Sequence, residues 1–440
     1  MSLFSHAREW IYYRTYSGTF HKRHRISGNL LIAGLLLLPW LKVGGHPIVR
    51  ADLPARRLYL VGQIFTANDG FLIALLALLA AFLLFFVSAL FGRLWCGWLC
   101  PQTVFLEEWV RRVETFFEGD GPARKRLDAA PWTANKAARK AGKIGTLTAL
   151  SVLLGMGVMQ YFAGAQAIWT GHGGPVDYLL VFIIAGGFLA DWLWFREQLC
   201  IYVCPYARFQ SVLTDDHSLM VSYDPKVTIG KGRKAAQSGQ CIDCMKCVNV
   251  CPMGIDIRDG FQLECIQCGL CIDACTSVME PLGRDTLVRY STLAADEGRK
   301  SRPLRARTAI YGALVTGLAV ALLSNIALHN PIEVTLNRSP GTLYQLDDDG
   351  LVRNTYLLRV VNNDAEEEHT FAVGVTGSDA VRVTVPVFTL APGEDRTVPL
   401  IVRLPPEEAT NTRALDVTVR SSENERTVHT TFKGPAGGEG

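Results

Sequence analysis

The chain has 440 residues, of which 49% are apolar, and a mean hydropathy of +0.18. This composition is typical of a membrane protein, and the length allows two or three domains. The formal net charge of +3 hides an acidic end, because residues 331–440 carry 17 acidic and 10 basic residues. The basic remainder follows the positive-inside pattern of membrane proteins, so we exclude nucleic acid as a partner.

The N-terminal segment, residues 1–26, combines aromatic rings with a basic run at 21–25. Its aromatic residues include Trp10, Tyr12, Tyr13 and Tyr16. Aromatic and cationic side chains meet lipid headgroups at membrane interfaces, so this cytoplasmic segment is predicted to be an interfacial anchor. The alternative is copper capture by His21 and His24.

Five apolar stretches are long enough to cross a membrane. They cover residues 27–43, 70–92, 145–165, 177–195 and 308–328. The first contains Pro39 and lacks a small-residue cleavage site, so we interpret it as a retained anchor. The first four predict a four-helix membrane domain over residues 27–210, and the fifth is the last transmembrane helix.

Lysine and arginine counts predict the orientation of these spans. Residues 1–27, 92–144 and 196–307 carry 5, 10 and 15 of them, whereas residues 44–69 carry 3 and residues 166–176 none. Basic loops stay in the cytoplasm. We therefore predict a multi-pass protein of the bacterial inner membrane, with a cytoplasmic N-terminus and a periplasmic C-terminal region.

Two C-x3-C-P motifs follow apolar segments at a spacing of 104 residues. Five identities support an internal duplication: Phe91 with Phe195, Cys96 with Cys200, Cys100 with Cys204, Pro101 with Pro205 and Phe105 with Phe209. Proline disfavours helix at the preceding residue and suits the first position of a new helix, so each motif is predicted at a helix break. If the duplicated hairpins pack symmetrically, the four thiols converge.

The residue types leave the chemistry of these four thiols open. Soft thiolates suit Cu(I) coordination or copper reduction, and a further cluster, heme-adjacent chemistry or a redox dithiol are alternatives. Simple packing of small apolar thiols does not account for equal spacing with proline at both places. Asp191, near the end of an apolar helix, is either a snorkelled interfacial residue or the partner of a polar group.

Eight cysteines form two runs in a cytoplasmic insert over residues 211–307, and each run reads C-x2-C-x2-C-x3-C. The runs are Cys241, Cys244, Cys247 and Cys251, then Cys265, Cys268, Cys271 and Cys275. This is the spacing of bacterial ferredoxins with two 4Fe-4S clusters, in which the fourth cysteine of each run binds the other cluster. Zinc sites usually separate two C-x2-C pairs more widely.

Cross-ligation assigns Cys275 to the cluster of the first run and Cys251 to the cluster of the second. Pro252 follows the first run, as the pattern expects, whereas Thr276 stands in place of the second proline. We expect this replacement to loosen the local turn without removing a ligand. Two neighbouring clusters suit a one-electron relay.

Beyond the last span, residues 331–433 alternate apolar and polar side chains. Seven predicted strands cover residues 331–337, 354–362, 369–376, 380–387, 397–403, 414–421 and 426–432. They predict a periplasmic immunoglobulin-like sandwich that lacks cysteine and serves as a docking module. His369 and His429 are interpreted as structural residues on the surface of strands, and residues 434–440 as a disordered end.

The predicted fold is a multi-pass α-helical membrane protein of about five transmembrane helices with a duplicated hairpin. It carries a two-cluster ferredoxin-like insert and a C-terminal all-β immunoglobulin-like sandwich. In this order of parts the chain resembles the FixG/RdxA/CcoG family of cytochrome c oxidase accessory proteins. The resemblance implies assembly of a cbb(3)-type oxidase and reduction of Cu(II) to Cu(I), an oxidoreductase activity.

The resemblance also implies roles for the cysteines and for partners. The eight from Cys241 to Cys275 would hold the clusters, and Cys96, Cys100, Cys200 and Cys204 would be the catalytic, copper-binding thiols. Implied partners are a cytoplasmic electron donor, copper ions, and oxidase assembly factors or copper chaperones at the periplasmic domain. The sequence leaves a homodimer open.

Two alternatives remain at this stage. The motifs also resemble membrane ferredoxins of the NapH and NosR kind, which are linked to quinol oxidation and to electron supply for a periplasmic reductase. In this interpretation the duplicated helices hold the quinol pocket, and Asp191 is the proton acceptor. The third interpretation is a non-enzymatic assembly factor or a redox sensor.

Overall fold

The computed structural model describes residues 10–435 apart from 62, 66–69, 225, 231–240, 328–331, 342, 363–367, 386, 392, 410–411 and 422–423. The chain forms two compact units. The first consists of Met1–Leu38 and Leu72–Leu322, and the second of Pro39–Phe71 and Leu323–Gly440. The sequence prediction of a disordered end at 434–440 falls almost entirely outside the described residues.

Helices dominate the first unit. They are α1 (Thr19–Leu37), α2 (Gly70–Phe91), α3 (Leu94–Trp98), α4 (Pro101–Phe105), α5 (Arg111–Glu118), α6 (Gly121–Ala129), α7 (Ala134–Ala163), α8 (Ala165–Trp169), α9 (Pro175–Ala190), α10 (Pro205–Leu213), α11 (Lys246–Asn249), α12 (Leu270–Met279), α13 (Leu293–Asp296) and α14 (Ala306–Ala327). π-helical turns occupy Leu106–Val110, Asp191–Phe195 and Leu199–Val203. Such turns are rare and frequently lie at functional sites.

Four helices are long and apolar enough to span a membrane: Gly70–Phe91, Ala134–Ala163, Pro175–Phe195 and Ala306–Ala327. They coincide with the last four predicted spans, so the multi-pass architecture is confirmed. The first predicted span, residues 27–43, forms the second half of α1 and a 3-10 turn at Leu38–Trp40. That fifth crossing, the membrane orientation and the domain boundaries at residues 210 and 307 stay predictions.

An apolar core fixes the helix that follows the first C-x3-C-P motif. Its buried members come from α1, α4, the π-helical turn after α4, α7 and the end of the span Pro175–Phe195. They are Ile32, Val104, Phe105, Leu106, Val110, Leu147, Leu154 and Trp192. Because these side chains exclude water, α4 is held rigidly beside the membrane helices, with Cys100 at its start.

The cysteine-rich insert is closed by an antiparallel pair of strands, β6 (Met220–Tyr223) and β7 (Val288–Ser291), which lie before and after the two runs. The pairing brings both ends of the insert together. Thr276 continues α12, and its Oγ1 donates to the carbonyl of Ile272 at 2.8 Å. The expected loose turn there is therefore wrong, because threonine, unlike proline, keeps the backbone N–H that a helix uses.

The second unit contains an immunoglobulin-like sandwich, and all seven predicted strands form in it. The strands are β8 (Ile332–Arg338), β9 (Gln345–Leu346), β10 (Val352–Asn362), β11 (His369–Thr376), β12 (Arg382–Thr384), β13 (Phe388–Leu390), β14 (Asp395–Leu404), β15 (Thr412–Arg420) and β16 (Glu425–Lys433). One sheet has the order β12-β14-β10-β8, with β9 on β10, and the other has the order β13-β11-β15-β16. His369 is only 2% exposed, so the expected surface position is wrong for it. His429 is exposed and pairs with Asp416.

The same unit includes five short strands that the sequence analysis did not predict. They are β1 (Lys42–Val43), β2 (His46–Pro47), β3 (Val49–Asp52), β4 (Arg57–Leu60) and β5 (Gln63–Phe65). β3, β4 and β5 form an antiparallel sheet. Arg57 donates to Asp395 at 3.0 Å, so this region is tied to the sandwich within the unit.

Candidate redox site

The first cysteine cavity contains Cys241, Cys244, Cys247 and Cys275. These four are the set that cross-ligation predicts for one cluster. Apolar residues, among them Leu287 and Val288, complete its wall. The Cys275 sulfur accepts a hydrogen bond from the backbone N–H of Leu287 at 3.4 Å. Thiolate ligands in an apolar wall with N–H donors to sulfur match the donor set of an iron-sulfur cluster.

The second cavity contains Cys251, Cys265, Cys268 and Cys271, again the predicted set, and Cys247 lines both cavities. Burial raises the pKa of Cys251, and the backbone N–H groups of Ile255, Met253 and Gly254 oppose that rise. These N–H groups stabilise a thiolate in an otherwise apolar pocket. The shared wall at Cys247 makes the two cavities neighbours.

Neither cavity is a site for a single ion. Within the described part of the chain, no three His, Cys, Asp or Glu side chains close around one metal-ion position. A 4Fe-4S cluster takes one cysteine at each iron, so its four cysteines surround a larger object than an ion. The cavities fit that cluster better than they fit zinc.

The two C-x3-C-P motifs have the same backbone at each break. Cys100 and Cys204 are extended (φ −64° and ψ 125°, φ −66° and ψ 114°), and each precedes a proline that begins a helix. Gly92 and Arg196, at equivalent positions of the duplication, both take positive φ, 57° and 52°. The predicted helix breaks are therefore present, and the duplication extends to the backbone.

The four thiols of these motifs converge. Burial raises the pKa of Cys96 to about 11; the Arg93 guanidinium opposes that rise, and the Cys100 and Cys204 thiols add to it. Burial raises the pKa of Cys200 to about 12, and Cys100, Cys96 and Cys204 all contribute. Each motif thus lies within electrostatic range of the other.

Polar side chains cross between the duplicated hairpins beside the thiols. After the first motif, Gln102 donates through Nε2 to Asp191 at 2.7 Å. After the second, the hydroxyl of Tyr206 lies 2.7 Å from that of Ser88, near the end of the second helix. Gln102 and Tyr206 both follow the motif proline directly, so each new helix is hydrogen-bonded to the span of the other repeat. Asp191 therefore has a protein partner.

Two of the four thiols also pack with cysteines of the second cavity. Cys96 and Cys200 belong to one apolar cluster with Cys251, Cys268 and Cys271. A Cβ atom placed on Gly97 would lie 2.4 Å from the carbonyl oxygen of Ile266, so only glycine permits this approach. The sequence predicted convergence of the thiols, and the structure adds their contact with the second run.

The N-terminal segment packs over the second run, which the sequence analysis missed. His24 Nε2 lies 2.8 Å from the carbonyl oxygen of Cys268, and its ring stacks on Trp98 with centroids 4.0 Å apart. Asp273 accepts from the backbone N–H groups of Phe20 and His21 at 3.1 and 2.8 Å, which caps α1. The segment is bound to the insert, and its position at the membrane interface stays a prediction. Sequence patterns carry no signal for such long-range contacts.

Buried ion pairs hold the surrounding helices together. Arg196 donates from Nη1 and Nη2 to the two oxygens of Glu114 at 2.7 and 2.9 Å, and Arg124 pairs with the same carboxylate. All three side chains are buried. Arg196 lies four residues before Cys200, so this bidentate pair anchors the second motif to α5.

Family models match three parts of the chain. A 4Fe-4S binding domain matches residues 73–117, and a 4Fe-4S dicluster domain matches residues 195–232 and 226–293. Residues 322–435 match the IG-like fold at the C-terminus of FixG.

Curated relatives extend over most of the chain. Protein RdxA of Cereibacter sphaeroides is 35% identical over 80% of this chain and 78% of its own length. Nitrogen fixation protein FixG of Rhizobium meliloti is 34% identical over 82% of this chain and 78% of its own. Ferredoxin-type protein NapH of Haemophilus influenzae is 24% identical over 59% of this chain and 80% of its own. This chain belongs to the FixG/RdxA family of membrane iron-sulfur electron-transfer proteins, because relatives of that family match most of its length at about 35% identity and it has four candidate spans and a cysteine-rich insert.

Proposed function

We propose that this protein reduces Cu(II) to Cu(I) and so supports assembly of a cbb(3)-type cytochrome c oxidase. One observation carries the proposal: the four C-x3-C-P thiols lie within electrostatic range of one another, and Cys96 and Cys200 pack in one apolar cluster with cysteines of the second cavity. Electron carriers and a soft metal-binding group are thereby neighbours. Purely structural cysteines would not need this contact.

In the proposal, Cys241, Cys244, Cys247 and Cys275 hold one 4Fe-4S cluster, and Cys251, Cys265, Cys268 and Cys271 hold the other. When bound, these clusters supply one-electron transfer. The chain keeps the two sites adjacent through Cys247, and the N–H groups around Cys251 stabilise its negative charge.

Copper is the substrate in this proposal, and the thiols select its reduced form. Cu(II) takes up one electron to become Cu(I), which prefers soft thiolate ligands. Because burial raises the pKa of Cys96 and Cys200, these thiols keep their protons until metal binds and then release them. Cu(I) is held by as few as a pair of thiolates, so transient binding does not require the three-ligand group that is absent among the described residues.

The second unit completes the proposal as a docking module. All twelve cysteines lie outside it, so the redox chemistry belongs to the first unit. We assign to the sandwich the contact with oxidase assembly factors or copper chaperones on the periplasmic side.

Variants of single cysteines test the proposal. Cys96→Ser and Cys200→Ser should lower Cu(I) affinity by tenfold or more, about 1.4 kcal/mol, because each removes a soft ligand. Both cluster signals should remain in electron paramagnetic resonance (EPR). Cu(I) affinity is measured by competition with a chromogenic chelator under anaerobic conditions.

Cys244→Ser serves as the matched control, since it removes an exposed cysteine of the first cavity. It should disturb a cluster signal and leave Cu(I) affinity unchanged. Loss of a cluster in Cys96→Ser or Cys200→Ser would mean that these thiols ligate iron, and the proposed copper site would be wrong.

A further inference from the structure

A third cavity, of about 370 Å³, lies between the N-terminal segment, α1, the helix after the first motif and the second cysteine run. Its volume is in the range of small-molecule sites. Buried side chains of Tyr13, Thr103, Val250 and Leu270 form part of its wall. It is separate from both cysteine cavities, and no step of the proposed copper reduction uses it.

The inner wall contains an aromatic ring and two ion pairs. Arg111 pairs with Glu107 at 3.0 Å and lies over the Tyr13 ring at 3.9 Å, and Glu108 pairs with Arg112. Opposite charges cancel within these two pairs, and Arg14 and Arg25 also line the cavity. Arg111 is 4% exposed, and its Nε–H makes no hydrogen bond among the described residues. A buried donor of this kind favours a ligand with an acceptor oxygen.

The cavity also reaches the electron-transfer site. Cys268 contributes to its wall and to that of the second cysteine cavity. His24, another wall residue, lies 2.8 Å from the carbonyl oxygen of Cys268. A ligand in this cavity would therefore be adjacent to the proposed cluster.

We propose that this cavity binds an aromatic two-electron donor of the quinol class, which supplies the electrons for the proposed copper reduction. The inference rests on that function for the destination of the electrons. Oxidation of one quinol to its quinone breaks two O–H bonds. It releases two electrons, one for each proposed cluster, and two protons, of which the His21 imidazole accepts one and solvent at the exposed side of the cavity accepts the other. Burial, followed by the charge of Arg25, lowers the pKa of His21, which favours the neutral, proton-accepting imidazole.

Other occupants fit less well. A nucleotide phosphate seated at a helix N-terminus needs free backbone N–H groups, but two of those at the start of α1 already donate to Asp273. A metal ion held by three side chains fits less well, because no three His, Cys, Asp or Glu side chains that could hold one converge among the residues described. The sequence analysis placed a quinol pocket at Asp191, whose carboxylate accepts from Gln102 instead of lining this cavity.

Thr115→Trp tests the inference, because Thr115 is an exposed residue of the cavity wall and a bulky ring there blocks the cavity without disturbing a core. Thr148→Trp is the matched control. Both threonines are exposed on helices and donate from Oγ1 to the carbonyl four residues earlier at 2.8 Å, but Thr148 lies outside the cavity. His21→Ala removes the proton acceptor.

The first readout is calorimetric binding of decylubiquinone to the full chain in detergent micelles. We expect saturable binding to the parent protein and to Thr148→Trp, and at least about tenfold weaker binding to Thr115→Trp and His21→Ala. Absent saturable binding, or equal affinity in both tryptophan variants, would overturn the inference. The inference would also be overturned if the protein bound Cu(II) in place of the quinone, with Cu(II) binding lost in His21→Ala and kept in Thr115→Trp.

The second readout separates this inference from the proposed function. Decylubiquinol should bleach the iron-sulfur absorbance of Thr148→Trp and not that of Thr115→Trp, while dithionite-reduced Thr115→Trp should still reduce Cu(II). Failure of dithionite-driven copper reduction in the parent protein would contradict the proposed function alone. Equal bleaching by quinol in both variants would contradict the quinol site alone.

Discussion

Gln210 joins the first thiol motif to the helix that follows the second. Its Oε1 accepts from Arg93 Nε at 2.9 Å and lies 3.4 Å from the sulfur of Cys96. Its Nε2 donates to the carbonyl of Gly92 at 3.5 Å. The side chain is fully buried. A single amide thus satisfies polar groups that water cannot reach and sets the position of Cys96.

Replacing Gln210 by leucine should therefore destabilise the protein. The change keeps the side-chain volume similar but leaves the Arg93 Nε–H buried without this acceptor, which costs about 1–3 kcal/mol. We expect a lower thermal midpoint in detergent and weaker Cu(I) binding, with Gln166→Leu as the control at an exposed glutamine. Equal stability of the two variants would show that the contact contributes nothing.

Among the helices, α12 serves both cysteine cavities. Cys271 lines the second cavity and Cys275, one turn later, lines the first. Residues four apart lie on one face of a helix, so α12 holds the two sites at a fixed separation. The continuation of α12 through Thr276 keeps Cys275 in register.

Cross-ligation therefore makes opposite predictions for two cysteines of one helix. Cys275→Ser should alter the EPR signal of the cluster held by Cys241, Cys244 and Cys247, while Cys271→Ser should alter the other. The two substitutions are chemically identical and lie on the same element, so each controls for the other. Two variants that change the same signal would refute the assignment of ligands.

Local spacing predicts much of this site, because the elements that carry it obey short-range rules. The cysteine spacing predicted both cavity sets, and proline after Cys100 and Cys204 predicted the helix breaks. Alternating apolar residues predicted the seven strands of the sandwich. Each of these signals depends on residues a few positions apart.

Such short-range patterns do not predict contacts between residues that are far apart in the sequence. The capping of α1 by Asp273 joins residues about 250 positions apart, and it holds the N-terminal segment against the second run. His369 was assigned to the surface because alternation does not tell which face of a strand is buried. The third cavity consists of residues from four separate segments, so no single motif indicates it.

At the scale of the whole molecule, the chain confines its redox groups to one unit. The first unit contains every cysteine and three cavities that adjoin one another through Cys247 and Cys268. The second is a sandwich without cysteine. We infer a division of labour in which electrons enter at the third cavity, reach the thiols through the cysteine cavities, and copper leaves to a partner.

The central claim is that electrons move from the cysteine insert to copper at the C-x3-C-P thiols. Its most direct test is to mix dithionite-reduced protein, freed of dithionite, with one equivalent of Cu(II) and to follow both EPR signals under anaerobic conditions. We predict that the Cu(II) and reduced-cluster signals disappear together in the parent protein, and that both persist in a Cys96→Ser/Cys200→Ser double variant. Equal loss of Cu(II) in the variant, or unchanged cluster signals in the parent protein, would contradict the account.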